Sequence, residues 1–196
     1  MNLDIEVLKN SEVKSLVDGR IKEFKQLGKK TNKELFKELC FCILTANFSA
    51  ERGIEIQKRL GNDFLRLQRA KLAKRLKAVG YRFPNTRAGY IAEARKYRNS
   101  LKGKSREWLV KNIKGLGYKE ASHFLRNTGC ADCAIIDFHI IDLLVRQGLI
   151  EKPKTITKKK YLEIEDVLKK IAGESKLNLA QLDLYMWYME TGKVLK

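Results

Sequence analysis

Six consecutive apolar residues, Leu39-Cys40-Phe41-Cys42-Ile43-Leu44, constrain this chain more than any other feature. They continue a helical pattern that opens at Thr31-Asn32-Lys33-Glu34, where a threonine followed three positions later by a glutamate predicts a capping box. A helix that is apolar on every side has to be packed on several sides. A central helix over 31–46 is therefore expected. The uncharged stretch from Leu39 to Ala46 is too short to cross a bilayer. Around it, only two prolines and apolar residues spaced by three and four predict further helices over 3–17, 49–60, 62–68, 69–79, 85–99, 105–113, 118–128, 138–147, 157–172 and 178–191. No segment reads as a strand, so the fold class is all-α.

The 196 residues carry 41 Lys plus Arg against 23 Asp plus Glu, a formal charge of +18. Such an excess favours a polyanionic partner, because each neutralised phosphate releases condensed counterions. A solvated lysine-rich surface is the plainer reading. MNLDIEVLKN has early acidic residues and no apolar run, which argues against a secretory signal and for an intracellular protein with reduced thiols. Cys130 and Cys133 have the internal spacing of half a metal site. Cys40 and Cys42, two apart on a helix, point to different faces and do not complete it, so no metal and no cofactor is expected. There is no internal repeat, and 151–157 is the only linker-like stretch late in the chain.

The segment from Ile113 to Asp137, IKGLGYKEASHFLRNTGCADCAIID, places a GLGYK turn between two helical stretches. Ser105 suits an N-cap for the first, Gly115 and Gly117 break it, and a second helix starts near Tyr118. Exposed turn amides and a helix N-terminus bind anions, and a phosphodiester suits a chain this basic.

The turn resembles the helix-hairpin-helix of the DNA glycosylase superfamily that includes endonuclease III and the 8-oxoguanine glycosylases. Leu44-Thr45-Ala46-Asn47 and the segment from Gly80 to Ala88, GYRFPNTRA, resemble two further motifs of that superfamily in the same order. The length, the wording of these motifs and the terminal lysine are most similar to the archaeal type of 8-oxoguanine DNA glycosylase with AP-lyase activity. The resemblance implies two helical lobes with an active-site cleft between them. One lobe is formed by 1–29 with 127–196, and the other, over 30–126, is a six-helix barrel with the hairpin at about 105–128. It further implies a monomer acting on duplex DNA that contains 8-oxoguanine or abasic sites, without membrane or obligate protein partner, in the cytoplasm or nucleoid of an archaeon or another prokaryote. The iron–sulfur loop of endonuclease III, with four cysteines near the carboxyl end, has no counterpart here. An alkali cation at the hairpin carbonyls follows from family behaviour alone.

By the same resemblance Lys119 is the nucleophile and Asp137, in Ile136-Asp137-Phe138-His139, the assisting acid. A carboxylate near the sugar stabilises oxocarbenium character, and an amine that attacks C1′ forms a Schiff base. Read singly, Lys119 is also a surface lysine on phosphate and Asp137 an ordinary N-cap of the helix at Phe138. Asp142, inside that helix, is the poorer acid. Gly115, Gly117, Lys114, His139, Asn47 and Arg82 are assigned to DNA binding. Asn47 matches the amide that fills the gap left by a flipped base, and reads alternatively as a helix C-cap. Tyr81, Arg82 and Phe83 form a loop that wedges near the opposite base or lines the lesion pocket, with Phe83 assigned to base recognition; as core anchors of a short turn they would look the same. Trp187 and Lys196 are assigned to base recognition, whereas the run Tyr185-Met186-Trp187-Tyr188-Met189 reads by default as core. His123 is expected to be an exposed helix residue. An oxidised pyrimidine as lesion, or a non-catalytic helix-hairpin-helix module, are the alternative functions.

Overall fold

A computed structural model describes residues 2–196, with side chains from Asp4 onward. Twelve α-helices follow one another: α1 Asn2–Lys9, α2 Val13–Gly28, α3 Asn32–Thr45, α4 Ala50–Leu60, α5 Asp63–Arg66, α6 Arg69–Ala78, α7 Pro84–Ala94, α8 Arg106–Asn112, α9 Tyr118–Asn127, α10 Phe138–Arg146, α11 Lys158–Glu174 and α12 Leu179–Thr191. Among the described residues there is no strand, and no helix is long and apolar enough to cross a membrane. The chain divides into two compact units, Leu27–Phe124 and Met1–Gln26 with Leu125–Lys196, and the divisions fall inside α2 and α9.

In the unit Leu27–Phe124, α3 is enclosed as its pattern requires: Leu39 through Leu44 are fully buried, with α4, α5 and α7 packed on it. Its start differs from expectation. Thr31 has N-cap backbone geometry, but its side chain makes no capping hydrogen bond. Glu34 turns away to pair with Lys37 at 2.8 Å, so the reciprocal contacts of a capping box are missing. A complete capping box sits elsewhere, at Asn178 and Gln181 at the start of α12. Glu38 lies within the α3 core, where its carboxylate accepts from Gln57 Nε2 at 3.0 Å. The Tyr81 hydroxyl donates to Leu44 O at 2.7 Å and Arg87 to Ala46 O at 3.2 Å, which holds the loop before α7 to the end of α3.

In the other unit, α12 is the element around which α1, α10 and α11 pack. Val13, Val17 and Phe24 of α2 form a core with Leu184 and Tyr185 of α12, joined by Ile21 and Val194. Each large apolar side chain buried this way contributes about 1.5–3 kcal/mol. The expected single helix over 3–17 is two helices. Asn10 Nδ2 donates to Glu6 O, and Ser11 donates to Leu8 O while accepting from Val13 N–H, so short polar side chains take over backbone groups and end α1. α2 then runs to Gly28, beyond the expected end, on the Val17, Ile21, Phe24 stripe. The expected helix over 85–99 stops at Ala94 and tightens into a 3-10 turn at Arg95–Tyr97.

Candidate active-site residues

The hairpin lies in Leu27–Phe124. Ser105 caps α8 by accepting from Trp108 N–H at 3.2 Å. After Ile113 the chain reverses through Gly115, whose φ of +88° is left-handed. A Cβ at Gly115 would lie 2.3 Å from Tyr90 Cδ2, so the Tyr90 ring rests against bare backbone. Leu116 turns inward and is buried. Gly117 is exposed, and its N–H donates to the Glu120 carboxylate at 3.1 Å. The expectation of exposed turn amides thus needs amending at Gly117, where a carboxylate of the same chain already occupies the donor. Glu120 was legible as an acidic residue in the first turn of α9, three positions beyond Gly117.

Lys119 stands in the first turn of α9, half-buried, and its amine has no hydrogen-bond or ion-pair partner among the described residues. That separates it from much of the basic surface. Lys114 is exposed and pairs with Glu93 at 3.6 Å. Asn47 lies just beyond α3 with φ of +57° and an exposed side chain, so helix exit and solvent-facing amide coexist at one residue. Arg82 is exposed, its guanidinium 4.9 Å from the ring centre of half-buried Phe83, which precedes Pro84 at the start of α7. His123 departs from expectation. It is 6% exposed, and its ring meets Phe41 edge-on at 5.5 Å, because α9 buries this face within the unit.

The second group lies in the unit containing Leu125–Lys196. Asp137 caps α10: its Oδ1 accepts from Ile140 N–H at 3.1 Å. Capping uses one oxygen, so the structural reading and the catalytic one are compatible. Asp142 is committed otherwise, with its carboxylate on Lys152 Nζ at 2.8 Å. The hydrogen bond from Lys152 holds the Asp142 carboxyl below its ordinary value. His139 lies between two aromatic rings, 4.0 Å from Phe138 and edge-on to Trp187 at 5.1 Å. The indole N–H of Trp187 is buried without a hydrogen-bond partner among the described residues. In the run at the carboxyl end, Tyr185 and Met186 are core as the default reading had it, whereas Trp187, Tyr188 and Met189 are half-buried. Beyond Gly192 the tail is held by Arg20, which donates to Val194 O at 3.3 Å, and Lys196 is half-buried.

Three features escaped sequence reasoning. Phe138 is 67% exposed directly after Asp137, an exposed apolar ring that nothing in the local sequence signals. Tyr161 and Glu165 of α11 reach the segment before Asp137, a long-range contact with no local signal. The Cys130 and Cys133 sulfurs approach to 3.2 Å, while Cys40 and Cys42 are buried in α3. Among the described residues no three His, Cys, Asp or Glu side chains cluster as a metal site would need.

A family model described as 8-oxoguanine DNA glycosylase matches residues 17–177. The 8-oxoguanine DNA glycosylase/AP lyase of Methanocaldococcus jannaschii is 55% identical, over 98% of this chain and 97% of that protein. The crystal structure of the 8-oxoguanine glycosylase/lyase of that organism, in complex with 15mer DNA containing 8-oxoguanine, superposes with a TM-score of 0.96 at 54% identity, covering 100% of this chain and 99% of the other. A non-covalent endonuclease III–DNA complex shares the fold, with a TM-score of 0.60 at 19% identity over 90% of this chain and 84% of the other.

Proposed function

The chain belongs to the 8-oxoguanine DNA glycosylase family, and from that premise we propose that it excises 8-oxoguanine from duplex DNA and then cleaves the strand as an AP lyase, with Lys119 and Asp137 carrying the chemistry. One observation supports this assignment above others: Lys119, two positions beyond Gly117, offers a half-buried amine with no competing partner among the described residues. A nucleophile held in an ion pair would have to break it first.

The Lys119 amine attacks C1′ of the flipped nucleotide, and the C1′–N bond breaks as the base leaves with its electron pair and a proton. Sugar-ring opening gives the Schiff base, from which loss of a C2′ proton expels the 3′ phosphate. The Asp137 carboxylate stabilises positive charge building on the sugar. DNA is held by the hairpin backbone at Gly115 and Gly117, by Lys114 and Arg82, and by His139, while Asn47 fills the vacated stack. At Gly117 phosphate displaces the Glu120 carboxylate. Phe83 and Trp187 contact the extruded base. Lys196 aids recognition of the lesion, and the Trp187 indole N–H is a donor waiting for an acceptor. The enzyme acts as a monomer on DNA inside the cell.

Borohydride trapping tests the reading. Wild type should give a covalent adduct with 8-oxoguanine duplex, and Lys119→Gln should bind the same duplex without being trapped. Trapping that survives this substitution removes Lys119 as nucleophile, and wild type that never traps reduces the protein to a binding module. A substrate panel with oxidised pyrimidines separates the lesion assignment from the chemistry.

A further inference from the structure

The three residues before Asp137, Ala134-Ile135-Ile136, form a buried segment outside any helix, with no sheet to satisfy its backbone. Two side chains of α11 do so instead. Glu165 accepts from Ala134 N–H at 3.0 Å. The Tyr161 hydroxyl donates to Ala134 O at 2.7 Å and accepts from Ile136 N–H at 3.3 Å. Both side chains are 2% exposed, so water does not substitute for them. One hydroxyl thereby fixes the backbone on both sides of Ile135, and the last group it holds is the N–H of the residue bonded to Asp137.

We infer that Tyr161, with Glu165, is a positioning pair for the Asp137 carboxylate, an inference that rests on the role proposed for Asp137. On the other side of Asp137 its orientation is set by the Ile140 N–H. With Ile136 clamped upstream and Ile140 capped downstream, the carboxylate has little freedom to leave the direction in which it serves the sugar. Oxocarbenium stabilisation depends on such preorganisation, because a dipole that must rotate into place has lost its advantage. A buried Ala134 carbonyl and Ile136 N–H left without the hydroxyl would pull the segment toward other partners.

Single-turnover excision under saturating enzyme reads the effect. Tyr161→Phe removes one oxygen, and the rate should fall on the order of tenfold, while affinity for lesion duplex stays within about twofold. In an Asp137→Asn background the same substitution should cost nothing further, because no carboxylate is left to aim. Glu165→Leu should slow excision, and Glu165→Gln, which keeps an acceptor, should recover most of the loss. This pair asks the same question if Tyr161→Phe fails to fold. An unchanged rate, or an equal fall in both backgrounds, overturns the inference while leaving Asp137 in place. An Asp137→Asn enzyme with the wild-type rate removes the acid itself, and the positioning role with it.

Discussion

The Arg126 guanidinium donates to the Asp183 carboxylate at 2.5 Å, with the two side chains 4% and 10% exposed. Arg126 also donates through Nε to Asn127 Oδ1 at 3.0 Å and lies 4.7 Å from the ring centre of Phe24. The last turn of α9 is thus tied to α2 and to α12, the helix that carries Trp187.

Buried pairs are costly to break, because the surviving charge keeps its desolvation penalty. Asp183→Ala should lower stability by about 3–5 kcal/mol, read as a lower midpoint in urea unfolding. The double change Arg126→Met with Asp183→Leu should recover most of that loss, since apolar replacements of similar volume remove both charges together. A double variant no more stable than Asp183→Ala would mean that the hydrogen bond to Asn127 or the Phe24 contact, rather than the charge pair, governs this site.

Gly115 offers a sharper test of the hairpin. An alanine there must adopt φ of +88° and place its Cβ 2.3 Å from Tyr90 Cδ2. Left-handed backbone and overpacking together should cost about 2–4 kcal/mol. If the turn holds the DNA backbone, Gly115→Ala should also weaken binding of undamaged duplex below the unfolding midpoint. Destabilisation with unaltered binding would restrict the glycine to a folding role.

How far the sequence carried depended on the range of the interactions. α3 was legible because a run apolar on all sides has one solution, and α9 because Gly115, Gly117 and Lys119 form a local pattern. The break between α1 and α2 was harder. It is made by Asn10 and Ser11 side chains competing for backbone groups, and helical periodicity continues through it. At the candidate site, the α10 cap at Asp137 was readable from one acidic residue before an apolar stretch. Its clamp by Tyr161 and Glu165 was not, because those residues stand 25 and 31 positions from the backbone amides they bind. His123 failed for a related reason: the neighbour that buries it, Phe41, is remote in the chain.

The cysteines should separate into two reactive classes. Burial pushes the Cys40 thiol well above its ordinary value, so the thiolate that attacks disulfides and alkylating agents is scarce. Cys130 and Cys133 are half-buried with sulfurs 3.2 Å apart. A low-molecular-weight disulfide at pH 8 should oxidise this pair to an intramolecular bond, each sulfur losing a proton while the reagent takes the two electrons. Two of the four thiols should then vanish from a native titration and all four should reappear after reduction and unfolding. The closed loop should raise stability by at most about 2 kcal/mol. Cys130→Ser should abolish the change, and rapid native labelling of Cys40 would contradict the packing of α3.

Glu120 occupies a turn amide that, on the proposed function, would receive phosphate. Its carboxylate sits on the Gly117 N–H at 3.1 Å, so if the hairpin holds the DNA backbone it should act as an internal anion in competition with phosphate. The formal charge of +18 should make association with duplex DNA steeply salt-dependent. Neutralising six phosphates corresponds to a loss of roughly 10³ in affinity between 50 and 200 mM salt. Glu120→Gln removes a repulsive charge close to the backbone path. At a separation of a few ångströms in a solvated setting that charge is worth about 1 kcal/mol, so undamaged duplex should bind about fivefold more tightly at constant salt. The helix loses a favourable acid in its first turn, so a small drop in stability should accompany the gain. Fluorescence anisotropy with undamaged and lesion-containing duplexes would measure both affinities. Weaker binding by Glu120→Gln would show that the carboxylate preorganises the turn rather than blocking it, and the displacement of Glu120 by phosphate would have to be abandoned.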